Sequence, residues 1–239
     1  MTKLLYQGHA SFRLQNNAGA VIFIDPFAGE GYDLPADLVL ITHEHPDHNA
    51  LDRVTLKSGA RVLRAADMLD VIEGQGAPPG HHVSMLAHKW VGFSTGDQSS
   101  NIDNSNPLLA GVKVTATEAG GNPNHSDREC VGYLVEIDGA VCYFAGDTSR
   151  VAGMDALAKR HIDYAFYPCD GHYNMDLTEA AECAHIVGAA HNVPIHMIPG
   201  RQGIFDMDRA TSWVVRNRLI IPDGGEIELQ AQAPSPSQV

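Results

Sequence analysis

The sequence HEHPDH, which begins at His43, constrains this chain most because it places three imidazoles and two carboxylates within six residues. The apolar run before it is short and rich in branched side chains, which predicts a buried strand over residues 37–42. Alternate side chains of an extended segment share a face, so His43 and His45 can reach one metal ion together. The proline that follows ends the strand and turns Asp47 and His48 toward a second position. A solvated loop that merely contains histidines is the alternative, but the strand context favours a metal site.

The spacing of this motif resembles the signature of the metallo-β-lactamase fold superfamily, whose other ligands come from separate strand ends further along the chain. The resemblance implies an α/β fold, an αββα sandwich formed by a single domain over residues 1–230, with a dinuclear metal site on one edge. The alternation of strand-like and helix-like segments after the motif agrees with a layered fold. Residues 231–239 contain two prolines and little apolar surface, so we predict that this tail is disordered.

Three further candidate ligands follow predicted strands. His125 lies in a turn-rich segment beyond the alternating strand 111–117, and Asp147 follows a hairpin with a characteristic Asp-Gly turn. His196 lies in the apolar segment 193–199. Taken alone, Asp147 could be a helix N-cap and His196 a hydrogen-bonded core residue. The resemblance implies that His43, His45 and His125 hold one metal ion, that Asp47, His48 and His196 hold the other, and that Asp147 bridges them.

Four more residues are candidates for supporting roles. The Gly-His-Ala-Ser segment of His9 and the Asp-Pro pair of Asp25 resemble elements beside the metal site in the branch that includes L-ascorbate 6-phosphate lactonase. Asp25 can orient a ligating histidine by accepting its second N–H, although Asp-Pro also occurs in plain turns. His172 lies in a run that resembles the segment before the penultimate helix of this branch, which implies substrate contact or proton transfer. Arg201 is the cation nearest in sequence to His196, and it is either a partner for a phosphate or carboxylate of the substrate or a plain surface arginine.

These residues predict a metal-dependent hydrolase that uses a metal-bridging hydroxide. Two cations that share a water lower its pKa from about 15.7 to near neutrality, so hydroxide is available as a nucleophile. Asp47 would orient that nucleophile or accept its proton. The expected substrate is an ester, lactone, amide or phosphodiester of a small molecule, including phosphorylated ones. Zinc is the default ion for a histidine-rich site, and manganese, iron and nickel also suit these ligands.

Composition weighs against several other classes of protein. A formal charge of −13 opposes nucleic-acid partners such as duplex DNA, which bind basic surfaces, and so disfavours a nuclease of the same superfamily. A redox diiron enzyme is disfavoured because its usual flavin-binding domain does not fit within 239 residues. The remaining alternative is a non-catalytic or regulatory metal-binding protein, in which the metal would keep no open coordination position.

Hydropathy and the spacing of the cysteines indicate the cellular compartment of the protein. No apolar run reaches the roughly 18 residues that a membrane span needs, and the first residues lead into strand-like sequence rather than a signal peptide. The four cysteines are widely spaced and include no Cys-x-x-Cys pair, which predicts reduced core side chains. We therefore expect a cytoplasmic protein without a membrane span.

Helical periodicity and turn signals predict the remaining elements. Residues 176–187 combine an acidic cap with an apolar face at helical spacing. Further helices are predicted at 49–56, 66–72, 154–160 and 206–217, and a final hairpin at 219–221 and 226–229. We expect the polar segment 94–107 to be a loop, and we expect surface positions for His81, His82, His88, His185 and His191.

Overall fold

The computed structural model describes residues 1–65, 90–93, 106–126, 129–198 and 205–231, with only the backbone described at 90–93. In this part of the chain, twelve strands form two six-stranded sheets. The first sheet contains β1 (Lys3–Gly8), β2 (Ser11–Gln15), β3 (Val21–Ile24), β4 (Ala36–Ile41), β5 (Leu56–Arg64) and β12 (Gly225–Glu228), in the spatial order β12-β1-β2-β3-β4-β5. The second contains β6 (Trp90–Phe93), β7 (Val112–Glu118), β8 (Val131–Ile137), β9 (Ala140–Phe144), β10 (Tyr164–Pro168) and β11 (His191–Ile195), in the order β11-β10-β9-β8-β7-β6.

The helices of the described regions are short. They are α1 (Met154–Leu157), α2 (Leu177–Val187) and α3 (Met207–Ser212), with single 3₁₀ turns at Leu51–Arg53 and Pro107–Leu109. The longest, α2, begins where the Asp176 carboxylate accepts the backbone N–H groups of Thr178 and Glu179 at 2.9 and 2.8 Å. It ends at Gly188, whose φ of 68° is left-handed and is therefore suited to glycine. The predicted helix at 176–187 is confirmed. Among the helices in the described regions, none has the length and apolar character that crossing a membrane would require.

The two sheets face each other across the main hydrophobic core. Phe12 of the first sheet packs against Phe144 and Phe166 of the second, with ring centroids 4.9 and 4.7 Å apart. The outer face of the second sheet is covered by α1, α2 and α3, which share a further apolar cluster with β9 and β10. Helices outside two packed sheets are the arrangement that an αββα sandwich requires. The predicted fold class is confirmed.

Strand β4 is buried on both of its faces. Leu38 and Leu40 pack into the core between the sheets, whereas Val39 and Ile41 pack into a cluster on the outer face of the first sheet. A strand that alternates between two apolar environments needs apolar residues at every position. This explains the unbroken apolar run that precedes the HEHPDH motif, which begins at His43.

Leu40→Ala should lower the free energy of unfolding by about 2–5 kcal/mol, because Leu40 is fully buried and its loss leaves a cavity between the sheets. Leu56→Ala is the matched control, since Leu56 lies in the neighbouring strand and is 46% exposed. We expect the control to change stability by only about 0.5 kcal/mol. Chemical denaturation measures both values, and equal losses would contradict the burial assigned to Leu40.

Several strand ends meet at one edge of the sandwich. Strands β3, β4 and β5 are parallel neighbours, and so are β9, β10 and β11, so the carboxyl ends of each set lie together. The antiparallel pairing of β7 with β8 and of β8 with β9 brings the end of β7 to the same edge. The sheets are joined there by two hydrogen bonds of 2.9 Å, from the N–H of Val131 to the carbonyl of Thr42 and from the hydroxyl of Tyr133 to the carbonyl of Ile41. Loops from both sheets therefore converge at this edge.

Among the sequence predictions in the first half of the chain, one needs correction and several lie outside the described residues. The predicted helix at 49–56 is wrong, because the chain makes only the turn Leu51–Arg53 and then enters β5. Pairing with β4 decides this, since Ala36 aligns with Leu56 in the parallel register and local helix propensity is weak in comparison. The helix predicted at 66–72, His81, His82, His88 and most of the 94–107 loop lie outside the described residues.

The C-terminal predictions also need correction. The helix predicted at 154–160 ends at Leu157, and the helix predicted at 206–217 ends at Ser212. The predicted final hairpin is wrong, because β12 pairs with β1 at the edge of the first sheet. Residues after α3 instead run beside β11, where Asn192 exchanges backbone hydrogen bonds of 2.8 and 2.9 Å with Leu219 and Asn217. These pairings join segments that are distant in sequence, so local sequence patterns do not predict them.

Candidate metal centre

The seven side chains predicted as metal ligands lie at the edge where the loops converge, and they form three overlapping groups. Within each group, one ligand atom of every residue lies within 4.8 Å of those of the other members. The groups are His43, His45 and His125; His9, Asp47, His48 and His196; and His43, His48 and Asp147. The structure therefore brings the seven residues together and adds His9 as a close neighbour.

Asp147 lies at the centre of these groups. One carboxylate oxygen is 3.3 Å from Nε2 of His48, and the other is 3.3 and 3.4 Å from Nε2 of His125 and His196. Burial opposes ionisation of this carboxyl, but the neighbouring histidines His196 and His48 hold its pKa well below the ordinary value. Asp147 is therefore a buried anion that faces ligands of both predicted ions.

The position of Asp147 depends on the glycine before it. Gly146 has a φ of 65°, and a Cβ at this residue would lie 2.9 Å from the carbonyl oxygen of Val131 and 3.0 Å from Cβ of Thr42. Only a residue without a side chain allows the chain to turn this close to the end of the first sheet. The close approach of the chain to Val131 and Thr42 therefore explains why glycine occupies this position of the Phe-Ala-Gly-Asp-Thr segment.

The inward atoms of the cluster are suited to cations. Buried ligand atoms that form no hydrogen bond with any described residue include His43 Nε2, His48 Nε2, His196 Nε2 and Asp147 Oδ1. Such orphaned polar atoms are costly in a protein interior, and a metal ion would satisfy them. Burial also holds the pKa of His43 well below its ordinary value, which favours the neutral imidazole that binds metal. The residues present therefore fit a divalent metal site.

Asp25 supports two of these histidines from outside the cluster. Its carboxylate accepts the backbone N–H and the hydroxyl of Thr42 at 2.7 and 2.6 Å, and it lies 2.8 Å from Nδ1 of His48. The Thr42 hydroxyl lies 3.1 Å from Nδ1 of His43. Burial lowers the pKa of His48, but Asp147 and Asp25 together raise it well above the ordinary value. With Nδ1 held outside, each histidine presents Nε2 to the centre.

His9 lies against the exposed side of the same centre. Its Nε2 is 3.1 Å from a carboxylate oxygen of Asp47, and its ring centroid is 3.7 Å from that of His196. The His9 carbonyl accepts the N–H of His196 at 2.9 Å and the hydroxyl of Tyr6 at 2.8 Å. Burial opposes ionisation of Asp47, but the contact with His9 holds the pKa of Asp47 below its ordinary value. His9 therefore touches two predicted ligands of the second ion.

The cluster opens to solvent on one side. His45 is exposed, and the side chain of Asp47 is 37% exposed, whereas His43, His48 and His196 are buried. A substrate can approach an ion at this cluster from the side of His45 and Asp47. Catalytic metal sites keep such an open position, whereas structural sites are closed by protein ligands.

His172 lies at the rim of the opening and Arg201 lies outside the described residues. The His172 side chain is exposed, and its ring packs edge-on against Tyr173 with centroids 4.4 Å apart. Its backbone N–H donates to Asp170 at 2.7 Å. The loop of His172 therefore belongs to the site edge, while the imidazole itself faces solvent.

Asp170 is a site residue that the sequence analysis missed. Its Oδ2 lies 3.1 Å from Nδ1 of His196, although the pair is not in full hydrogen-bond alignment. Its Oδ1 accepts the N–H groups of His172, Tyr173 and Asn174 at 2.7, 2.7 and 3.2 Å. Burial opposes ionisation, but these contacts lower the pKa of Asp170 to about 2. The available signal was its place shortly after the apolar run 162–167, at a strand end like those of the ligands.

A family model and several known proteins are similar to this chain in sequence. Residues 3–196 match a family model described as a beta-lactamase superfamily domain. A UPF0173 metal-dependent hydrolase of Myxococcus xanthus is 30% identical over 241 residues, covering 94% of this chain and 82% of the relative. A UPF0173 metal-dependent hydrolase of Pyrococcus furiosus is 28% identical over 207 residues, covering 82% of this chain and 84% of the relative.

A solved structure supports the fold independently. Igni18, described as a novel metallo hydrolase from Ignicoccus hospitalis, superimposes with a TM-score of 0.62 at 21% identity, covering 96% of this chain and 99% of that protein. At this identity the likeness concerns the fold alone. The sequence relatives and the structural neighbour therefore agree on the family and on the fold of this chain.

Proposed function

This chain belongs to the beta-lactamase superfamily domain family, and on that premise we propose that it is a metal-dependent hydrolase with two divalent ions, zinc by default, at the cluster around Asp147. The observation that carries the proposal is the position of Asp147. One of its oxygens approaches His48 of one ligand group, and the other approaches His125 of the other. A carboxylate between two sets of ligands is suited to bridging two cations.

In this proposal the ligands are assigned to the two ions as the family resemblance implies. His43, His45 and His125 would hold the first ion, and Asp47, His48 and His196 would hold the second. When bound, the ions supply the Lewis acidity that lowers the pKa of water and polarises a carbonyl or phosphoryl oxygen. The carboxylates of Asp25, Asp47, Asp147 and Asp170 surround the centre and balance the charge of two divalent cations.

The residues of the chain have separate tasks in this proposal. Asp47 is half-exposed at the opening, so its carboxylate can orient the attacking nucleophile or accept its proton. His9, which is buried beside Asp47, keeps that carboxylate in place. Asp25 holds His48 and, through Thr42, His43. These contacts restrict the motion of the reacting groups before the substrate arrives.

We further propose that the substrate is a small molecule with an ester, lactone, amide or phosphodiester bond. His172 at the rim would contact it or transfer a proton to its leaving group, and Arg201 would pair with a phosphate or carboxylate on it. The exposure of His45 and Asp47 supports access by a substrate and disfavours a purely structural metal site. The four cysteines, all buried and free, support a reducing compartment and hence the cytoplasm.

Metal content and hydrolysis measured on the same preparation test the proposal. The protein is purified without chelator or exposure to affinity nickel, and elemental mass spectrometry counts the bound ions. We expect about two ions per chain and metal-dependent hydrolysis of at least one member of a panel of lactones, esters, amides and phosphodiesters. A chain that binds one ion would favour a mononuclear or non-catalytic protein, and a chain that binds two ions without hydrolysing any of these compounds would favour the non-catalytic alternative.

His172→Ala should leave the metal content unchanged and lower kcat by about 100-fold, the lower end of the usual contribution of a proton-transferring group. The reason is that the exposed imidazole of His172 has no described contact with a predicted ligand side chain, yet it lies in the loop that borders the opening. His185→Ala is the control, because His185 is also exposed but lies on α2. Unchanged turnover in His172→Ala would leave this histidine as an ordinary surface residue.

A further inference from the structure

We propose that Asp170 is a positioning residue that orients His196 toward the second metal ion. This inference rests on the proposed dinuclear function and deepens it, because it names a residue outside the ligand set on which the second ion depends. Asp170 follows β10, and His196 follows β11, its parallel neighbour. The two side chains therefore meet where adjacent strands end.

The two carboxylate oxygens of Asp170 contact different groups. Oδ1 accepts three consecutive backbone N–H groups, from His172 to Asn174, and so shapes the loop. Oδ2 lies 3.1 Å from Nδ1 of His196 and also accepts the side-chain amide of Asn174 at 2.8 Å. The side chain of Asp170 is 0% exposed. These four donors fix the orientation of the buried carboxylate, and in that orientation Oδ2 lies beside His196.

Other described contacts of the His196 ring include a ring contact with His9, at a centroid distance of 3.7 Å, and the approach of Nε2 to Asp147. This Nε2 lies 3.4 Å from Asp147, at the centre of the cluster, and the backbone N–H of His196 donates to the carbonyl of His9. An acceptor beside Nδ1 places the ring proton there and leaves the Nε2 lone pair for a cation. Asp170 supplies that acceptor.

Asp25 provides an internal comparison in the other sheet. Asp25 follows β3 and holds Nδ1 of His48, as Asp170 follows β10 and stands beside Nδ1 of His196. His48 and His196 are the two predicted histidine ligands of the second ion. Each sheet thus supplies one ligating histidine and one carboxylate behind it.

Asp170→Asn separates the two tasks of this residue. Its amide oxygen can keep the three backbone N–H groups, so the loop is retained, but the amide nitrogen beside His196 donates and cannot accept from Nδ1. The matched control is Asp163→Asn. Asp163 is a buried carboxylate at the opposite end of β10, where Oδ2 accepts the N–H of Val141 at 2.7 Å.

Cobalt titration of the full chain, followed by its visible absorption in the presence of a competing chelator, measures the two affinities separately. In Asp170→Asn we expect the second Co²⁺ to bind 10–100-fold more weakly, with altered absorption, and the first Co²⁺ to bind as in the wild type. Asp163→Asn should retain both affinities. If Asp170→Asn and the wild type both bind two Co²⁺ ions with equal affinities, the proposed role of Asp170 is overturned and the dinuclear proposal is unaffected.

A wild-type chain that binds fewer than two Co²⁺ ions would overturn the dinuclear proposal and this inference together, so the two failures are distinguishable. A second measurement does not depend on whether the variant folds. Long-range ¹H–¹⁵N NMR of the zinc-loaded wild type should show His196 with a proton on Nδ1. A proton on Nε2 instead would overturn the proposed orientation.

Discussion

Asp147→Ala is expected to reduce bound metal from about two ions per chain to fewer than one and to lower hydrolysis by more than about 100-fold. Removing a residue that only supports a metal ligand costs up to about 100-fold, so the loss of a ligand itself should cost more. The effect should be this large because Asp147 approaches histidines of both ligand groups at 3.3–3.4 Å and carries the central negative charge. Without it, buried histidines would surround the cations with no anion between them. Elemental mass spectrometry and turnover on an identified substrate measure the two effects.

The control for this prediction is Asp155→Ala. Asp155 is an exposed acid in α1, close to Asp147 in sequence but outside the metal-ligand groups. Its removal should change neither metal content nor turnover. If Asp147→Ala lost one ion and kept the other at full affinity, Asp147 would be an ordinary ligand of a single ion rather than a bridge.

Asp25→Ala should lower the free energy of unfolding by about 3 kcal/mol and weaken binding of the second ion by 10–100-fold. The substitution removes an acceptor shared by the N–H and hydroxyl of Thr42 and by Nδ1 of His48, all of them buried. It also places alanine at a φ of 45°, a left-handed conformation that aspartate tolerates better. Denaturant unfolding and a metal competition titration measure the two losses.

Asp33→Ala is the matched control for Asp25. The Asp33 side chain lies eight positions further along, is 75% exposed and makes a surface contact of 3.3 Å with Arg13. Such exposed pairs contribute little, so we expect a change within about 0.5 kcal/mol and no change in metal binding. A destabilised Asp25→Ala that kept full affinity for the second ion would assign Asp25 to folding alone.

These predictions concern a centre whose two halves come from different sheets. His43 and His48 follow β4 in the first sheet, whereas His125, Asp147 and His196 follow strands of the second. The hydrogen bond from Val131 to Thr42 joins the sheets beside them. The geometry of the centre therefore depends on the packing of the sandwich, and core substitutions such as Leu40→Ala should also affect metal binding.

The candidate metal ligands around His43 and the resemblance that implies the class of fold can both be read from short segments of sequence. Ligand types, the spacing in HEHPDH and the apolar strand before it are local properties, because alternate residues of a strand share a face wherever that strand is placed. The same holds for the start of α2, where Asp176 caps the helix that follows it. Each of these features depends on residues a few positions apart, so each was predictable.

The residues that contact the ligands from behind are visible in the folded chain and not in any short segment of it. The approach of Asp170 to His196, of His9 to Asp47 and of β12 to β1 joins residues that are 26, 38 and more than 200 positions apart. Pairing with β4 likewise decides that the chain enters β5 at Leu56, after the turn Leu51–Arg53, where a helix at 49–56 was predicted. Strand order and register set these contacts through packing energy summed over the whole core, and no short stretch of sequence contains that sum.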